Sequence, residues 1–164
     1  MGHVGSYVWE LRQQVGSREL LLPGAQVVVL GPDETVLFQR RTDSGVWEFP
    51  AGACEPGQSF ATAAVAELFE ETGIRADATD LTAFASLSEP QLHQLQYPNG
   101  DKVHAFALCF ALERWTGTIT PEESEVSHIA FFPLAAPPEP LHPPTREVIR
   151  LYLRYRQSGA FQAR

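Results

Sequence analysis

The first half of the chain predicts strands from short apolar runs separated by turn residues. Residues 25–30 and 36–41 are such runs, and the Gly-Pro-Asp-Glu segment 31–34 between them favours a β-hairpin. Residues 7–22 alternate loosely and predict an edge hairpin or two short strands. Residues 47–49 form a further brief strand. The amino-terminal half is therefore expected to be mainly β.

Three further strands are predicted at residues 81–87, 103–112 and 129–132. The middle one is long and apolar, as expected of a strand at the centre of a sheet. Together with the earlier runs these segments predict a mixed β-sheet.

Two helices are predicted by apolar spacing and by capping residues. In residues 60–72 apolar positions recur at helical spacing, with Ser59 as N-cap and Gly73 as C-terminal stop. Residues 133–144 contain six prolines and predict an irregular crossing. Residues 145–156 again show helical spacing and predict a closing helix.

Length and composition fit one globular domain over residues 1–164, with 44% hydrophobic and 20% charged residues. The longest apolar stretches, 25–30 and 105–112, are far shorter than the ~20 residues of a membrane-spanning helix, so no membrane association is expected. The net charge of −8 argues against a long nucleic acid as partner. A polyphosphate can still bind if metal ions lie between the two anions.

The cysteines and the amino terminus favour a cytoplasmic location. Cys109 lies in an apolar run typical of a buried thiol, and Cys54 has no base or cation beside it in sequence. Residues 1–6 are small and polar, unlike a secretory signal.

Three carboxylates on the first predicted helix form a candidate metal site. Steps of three and four place Glu67, Glu70 and Glu71 within an arc of roughly 100°. Their repulsion is mildly unfavourable near a helix C-terminus, and a divalent cation would turn it into attraction. Oxygen ligands favour Mg²⁺, with Mn²⁺ as a substitute, over zinc. The alternative is a solvated acidic helix face.

The spacing around these glutamates is more specific than their charge. The segment from residue 52 to residue 74 resembles the Nudix box, G-x5-E-x7-R-E-U-x-E-E-x-G-U, without a gap. The matching positions are Gly52, Glu67, Leu68, Glu70, Glu71, Gly73 and Ile74. Upstream, Gln39-Arg40-Arg41 and Trp47-Glu48-Phe49-Pro50 also resemble segments common in that family.

Two positions depart from the box. Gln58 stands where the family has Glu, and Ala66 stands where it has Arg. In the family these side chains can pair and help to orient the ligating carboxylates, so weaker metal binding or slower turnover is expected here.

The resemblance implies an α/β/α sandwich and Mg²⁺-dependent hydrolysis of a nucleoside diphosphate linked to another moiety, including nucleoside triphosphates. Physical chemistry agrees, since bound metal ions neutralise developing phosphate charge and activate water. By the resemblance the metal ligands are Glu67, Glu70, Glu71 and Gly52. Catalysis is assigned to Glu67 and Glu70, with a further carboxylate as base or ligand.

That further carboxylate is expected before the strand 129–132. Glu123 and Glu125 are the leading candidates, while Glu122 and Glu89 are alternatives. An acidic solvated turn is an equally good interpretation of any one of them.

Four residues are candidates for substrate contact. Arg40 and Arg41 can meet phosphate, although strand alternation turns one of them to solvent. Trp47 can stack on a base, but packing is the favoured interpretation. Tyr97 begins a hairpin turn, 97–101, that can cover the pocket and select the substrate.

The primary hypothesis is thus a Mg²⁺-dependent pyrophosphohydrolase, acting as a monomer or a homodimer. The alternative is a nucleotide-binding or regulatory module with weak or no hydrolysis, which the two departures suggest. A purely structural protein with an acidic helix does not account for the spacing between residues 52 and 73.

Overall fold

The computed structural model describes residues 4–96 and 99–164. Four α-helices and nine strands occur in these ranges. In chain order they are α1 (Tyr7–Val15), β1 (Leu20–Val29), β2 (Thr35–Arg41), β3 (Trp47–Glu48), β4 (Ala51–Ala53), α2 (Phe60–Thr72), β5 (Leu81–Leu87), α3 (Pro90–His93), β6 (Gln94–Gln96), β7 (Lys102–Leu112), β8 (Val126–Pro133), α4 (Pro143–Ser158) and β9 (Gln162–Ala163).

The strands form one mixed sheet and one smaller antiparallel sheet. The larger has the order β4-β1-β7-β5-β9, with β6 pairing to β7, and the smaller has the order β3-β2-β8. The β1–β7 and β5–β9 pairs are parallel and the others are antiparallel. The mixed sheet and the central place of β7 are therefore confirmed.

Alternate side chains of the strands enter two hydrophobic clusters, which gives the α/β/α layering. Along β1, Val28 belongs to one cluster while Val27 and Val29 belong to the other. Helix α4 contributes Val148 to the first cluster, and α2 contributes Leu68 to the second. Because neighbouring strand residues point to opposite faces, the two helices cover opposite faces of the sheets. The predicted fold class is confirmed.

Helix α2 begins and ends as its sequence predicts. The Ser59 side chain accepts a hydrogen bond from the Thr62 amide in a capping box, and Gly73 closes the helix with a left-handed φ of 74°. These caps satisfy the free backbone groups at both ends.

The prediction for residues 7–22 is wrong, because residues 7–15 form helix α1 and the first strand begins only at Leu20. Ser6 caps the helix by accepting the Trp9 amide, and Gly16 ends it with φ 61°. The Arg12 guanidinium donates to main-chain oxygens of Gly16 and Lys102, a long-range contact that the local alternation does not reveal.

The predicted hairpin of residues 25–30 and 36–41 has the right strands but the wrong pairing. The two strands belong to different sheets and meet in one bridge between Leu30 and Val36. Apart from that bridge, β1 pairs along its whole length with β7, and β2 pairs with β3 and β8. These long-range partners override the local turn chemistry.

The remaining predictions differ mainly at element ends. The last long strand begins at Val126 rather than residue 129, and the closing helix begins at Pro143, since proline is well tolerated in a first helical turn. The predicted 97–101 turn includes Tyr97 and Pro98, which lie outside the described residues. No helix in the described part of the chain is long and apolar enough to span a membrane.

Candidate active site

Gly52 on β4 lies directly beneath the carboxylate of Glu67 on α2. A Cβ atom added at Gly52 would stand 1.9 Å from the Glu67 carboxyl carbon. Only glycine leaves room for this carboxylate, because heavy atoms cannot approach so closely. The packing of α2 on β4 therefore brings Gly52, the first glycine of the box, together with Glu67, the glutamate of its Arg-Glu position.

Glu71 points inward, towards the start of β4. The residue is 4% exposed, and one carboxylate oxygen accepts a hydrogen bond from the Ala51 amide at 3.1 Å. Burial raises its pKa well above the ordinary value, and the charges of Glu48 and Glu67 raise it further. Hydrogen bonds from Gln39 and Ala51 do not offset the loss of water around the charged form.

Glu67 is half-buried, and its pKa is raised to about 7. Burial is the largest cause, followed by the charges of Glu70, Glu125 and Glu55. Glu70 itself is exposed. The interaction with Glu125 shows that the loop before β8 brings a further carboxylate towards α2.

Gln39 and Glu48 extend the cluster towards the smaller sheet. They are direct partners in the β2–β3 pair. Gln39 is fully buried, and hydrogen bonding from its side-chain amide lowers the pKa of both Glu48 and Glu71. The buried amide therefore lies beside both carboxylates.

Glu48 joins this cluster to a cation and a histidine. One of its oxygens lies 3.6 Å from an Arg41 nitrogen, and the other lies 3.5 Å from His142 Nδ1. Burial nevertheless raises the pKa of Glu48 to about 7. Burial lowers the pKa of His142, and the positive charge of Arg41 lowers it further.

The two arginines separate as strand alternation predicts. Arg40 is exposed and donates to the Gly45 carbonyl at 2.9 Å. Arg41 turns inward to Glu48 and also binds Asp43 at 3.0 Å. Although burial alone would lower the pKa of Arg41, these carboxylates raise it above its ordinary value, and it stays charged. Arg41 is the arginine that faces the carboxylates.

Trp47 and Tyr97 are the two aromatic candidates for substrate contact. Trp47 is 8% exposed and packs edge-on against Phe132 and His128, an environment typical of a packing residue. Tyr97 lies outside the described residues, so its proposed contact with substrate stays a prediction.

The other candidate acids are Glu122 and Glu123, in the same loop as Glu125, and Glu89, which comes earlier in the chain. The Glu122 carboxylate accepts from the Ser124 hydroxyl and the Glu125 amide, so it stabilises its own turn. The Glu123 carbonyl accepts from the Thr42 hydroxyl at 3.4 Å. Glu89 precedes α3, away from the β8 loop. Of these acids, Glu125 has a charge that acts on Glu67.

The oxygen-rich set fits a hard divalent cation. Within residues 4–96 and 99–164, no three His, Cys, Asp or Glu side chains already converge on one metal position. Glu71 instead binds Ala51, and Glu70 faces solvent. Burial raises the pKa of both Glu67 and Glu71, a bound cation would favour their charged forms, and carboxylate oxygens are ligands that Mg²⁺ or Mn²⁺ accepts.

Sequence reasoning did not identify Gln39, Glu48 and His142 as residues that extend the acidic cluster. Glu48 lies between Trp47 and Phe49, so a strand with buried aromatic residues presents a carboxylate on its other side. That alternation was a usable signal. Neither the pairing with Gln39 nor the approach of His142 could be inferred, because both depend on long-range contacts.

Comparisons with known proteins identify the family of the chain. The NUDIX domain profile matches residues 20–152. The NAD-capped RNA hydrolase NudC of Pseudomonas aeruginosa is 34% identical over 143 residues, covering 85% of this chain and 46% of that protein. Nudix hydrolase 7 of Arabidopsis thaliana is 30% identical over 115 residues, covering 68% of this chain and 38% of that protein. The chain thus spans less than half the length of these relatives.

A solved structure shares the fold. The crystal structure of the MutT NUDIX hydrolase from Burkholderia pseudomallei superposes with a TM-score of 0.68 at 20% identity, covering 80% of this chain and 98% of that one. At this identity the likeness concerns the fold alone.

Proposed function

Because this chain belongs to the NUDIX domain family, we propose that it is a divalent-metal-dependent pyrophosphohydrolase. Its substrates are nucleoside triphosphates or other compounds in which a nucleoside diphosphate is linked to a further moiety. The observation that supports this most strongly is the pair formed by half-buried Glu67, packed against Gly52, and buried Glu71, since burial raises the pKa of both carboxyl groups.

Four groups are proposed to hold the metal: Glu67, Glu70, Glu71 and the Gly52 carbonyl. When bound, Mg²⁺ or Mn²⁺ supplies neutralisation of phosphate charge and a lowered pKa for the attacking water. Glu71 is held in place by the Ala51 amide, which limits the freedom of its carboxylate before substrate arrives.

Glu125 is the preferred candidate for the base that orients water, because its charge reaches Glu67. Glu123 is the second candidate, since it lies two residues away in the same loop. Arg41 is proposed to contact a substrate phosphate, as it remains charged and already faces the acidic groups. Arg40, bound to Gly45 and exposed, is the weaker candidate.

The relatives favour a pyrophosphate inside a nucleotide derivative as the scissile group. The relative NudC is named as a hydrolase of NAD-capped RNA. NAD contains two nucleosides joined through a diphosphate. For this chain we propose the shared diphosphate chemistry, with the attached moiety left to experiment.

The test is a hydrolysis screen with Mg²⁺ or Mn²⁺ over nucleoside triphosphates, NAD, ADP-ribose and nucleotide sugars, with products identified. Glu70→Gln is the inactive comparison, and Glu113→Gln, an exposed carboxylate outside the cluster, is the matched control. Hydrolysis by the unmodified chain and Glu113→Gln, with little in Glu70→Gln, is expected. Equal rates in all three proteins would contradict the proposal.

A second candidate is a nucleotide-binding or regulatory module with little hydrolysis. The departures at Gln58 and Ala66 favour it: the Gln58 amide oxygen accepts the Glu55 amide at 2.9 Å, and Ala66 offers no cation. Saturable nucleotide binding without product release on any substrate would support this candidate over the first.

A further inference from the structure

The loop between β4 and α2 is held together locally by residues 55 and 58. The Glu55 backbone amide donates to the Gln58 side-chain oxygen at 2.9 Å, and the Gln58 backbone amide donates to the Glu55 backbone carbonyl at 3.0 Å. These bonds shape the loop. They do not by themselves fix its position on the molecule, which depends on contacts with other segments.

Helix α1 supplies such a contact. The backbone amide of Tyr7 donates to both carboxylate oxygens of Glu55, at 3.0 and 3.2 Å. Tyr7 is the first residue of α1, and Ser6 caps the helix beside it. A carboxylate at this end is favoured by the free amides and by the helix dipole, so the contact stabilises both the helix start and the loop.

The other end of α1 is anchored independently. The Arg12 guanidinium donates to the carbonyls of Gly16 and Lys102, at 2.9 and 2.7 Å, and lies 3.6 Å from Asp101. The side chains of Arg12 and Asp101 are 8% and 11% exposed. Because α1 is fixed to the start of β7, its contact with Glu55 fixes the loop relative to the main sheet.

The loop matters for the site because it joins Gly52, on β4, to the start of α2. Gly52 lies so close to the Glu67 carboxylate that an added Cβ atom would stand 1.9 Å from its carboxyl carbon, so the course of the loop affects how α2 brings Glu67 to β4. In the family, side chains at the positions of Gln58 and Ala66 can pair and join this loop to α2. This chain has no ion pair at those positions and instead has a bond from the loop to α1.

We propose that Glu55 is a positioning residue, held by the Tyr7 amide, and that this tether from α1 takes the place of the missing 58–66 pair in setting the loop against Glu67. The inference rests on the proposed function. It assigns α1, which lies before the matched NUDIX segment, a part in ordering the metal ligands.

The sharpest test is Tyr7→Pro in the full chain, because proline is favoured at the first helical position but has no amide hydrogen to donate. Tyr7→Ala keeps the amide and is the matched control. The expected result is a loss of roughly tenfold in kcat and in Mn²⁺ affinity for Tyr7→Pro, with KM for nucleotide little changed and far-UV circular dichroism intact. Tyr7→Ala should stay within about twofold of the unmodified chain.

Two further variants keep the test decisive if Tyr7→Pro folds poorly. Glu55→Ala removes the tether from the other side and should reproduce the losses. Adding Gln58→Glu and Ala66→Arg to Glu55→Ala should restore much of the Mn²⁺ affinity, because it supplies the pair that the tether replaces.

Mn²⁺ affinity separates this inference from the proposed function. If the protein hydrolyses no substrate while Mn²⁺ binding still weakens in Tyr7→Pro and Glu55→Ala, that result would support the tether and overturn the proposed hydrolase activity. Equal Mn²⁺ affinity and kcat in Tyr7→Pro, Tyr7→Ala and Glu55→Ala would overturn the tether. Absence of Mn²⁺ binding in every variant would overturn it too, since no metal site would then need positioning.

Discussion

The carboxylates of α2 and those around α4 belong to the same acidic protein but have opposite environments. Glu147 on α4 binds Arg150 and lies 3.5 Å from Arg164, and Glu139 binds Arg146 at 2.9 Å. The pKa of each is lowered, chiefly by its hydrogen-bonded arginine. Within the described residues, Glu67 and Glu71 have no ion pair, and their pKa values are raised.

This difference separates structural carboxylates from candidate ligands better than charge alone. An acid with an arginine partner is satisfied by the fold, whereas a buried acid without one needs a proton or an external cation. Glu71 is the clearest case, since it is 4% exposed and has one backbone donor. The comparison therefore predicts that substitutions on the two helices have different consequences.

The largest effect is expected for Glu71→Gln. Removing one buried charge should lower kcat/KM by roughly 100-fold or more, because the metal loses a ligand while the shape of the side chain is kept. Glu147→Gln should stay within about twofold, as Glu147 interacts with arginines outside the cluster. Steady-state kinetics on the best substrate of the screen gives both values. Similar losses of kcat/KM in both variants would contradict the proposed difference between the carboxylates of α2 and those of α4.

Stability of the metal-free protein should depend on pH with opposite signs at the two helices. The folded-state pKa of Glu67 is about 7 against an ordinary 4.5, so the folded chain binds more protons than the unfolded chain between these values. The contribution of Glu67 to the free energy of unfolding thus falls as pH rises through that window. Glu147, with a lowered pKa, adds stability above about pH 4.5 that is lost as pH falls.

Thermal denaturation in EDTA from about pH 3 to 8 measures this contrast. After allowance for the water that still reaches Glu67, Glu67→Gln should raise the Tm at pH 7.5 by about 2–4 °C, the shift that 1 kcal/mol produces in a domain of this size. Glu147→Gln should lower the Tm slightly at the same pH. A fall in Tm for Glu67→Gln at pH 7.5 would show that its charged form is already compensated by the fold.

The smallest effect is expected from restoring the family pair in the unmodified chain. Ala66→Arg alone should help little, because Gln58 offers the new cation no carboxylate. The double variant Gln58→Glu with Ala66→Arg should raise turnover by a few-fold at most, since it adds orientation to ligands that are already present. An equal or larger gain for the single substitution would contradict the explanation by a lost pair.

Much of the fold followed from local patterns, and the exceptions share a cause. The caps Ser59 and Gly73 and the apolar period of residues 60–72 predicted α2 to its last residue. Helix α1 was not predicted, and its contacts from Tyr7 to Glu55 and from Arg12 to Lys102 are with residues distant in sequence. The hairpin prediction was wrong for the same reason, because β1 pairs with β7 and not with β2.

The part of the candidate site that lies in the Nudix box was predictable, because the spacing of its residues identifies them. Gly52 and Glu67 are adjacent in space as the box resemblance implies. Their assignment as metal ligands stays a prediction. Alternation along β2 correctly separated Arg40 from Arg41, whereas Gln39 and Glu48 could not be recognised as neighbours of Glu71 before the β2–β3 register was known.

The most direct test of the central claim is a Mn²⁺ titration of the nucleotide-free protein at pH 7.5, by calorimetry or electron paramagnetic resonance. The unmodified chain and Glu147→Gln should bind Mn²⁺ with the same affinity. The double variant Glu67→Gln with Glu71→Gln should bind at least tenfold more weakly, roughly the loss expected from removing two anionic ligands. Identical binding by all three proteins, or none by any, would contradict the claim that these carboxylates form a divalent-metal site.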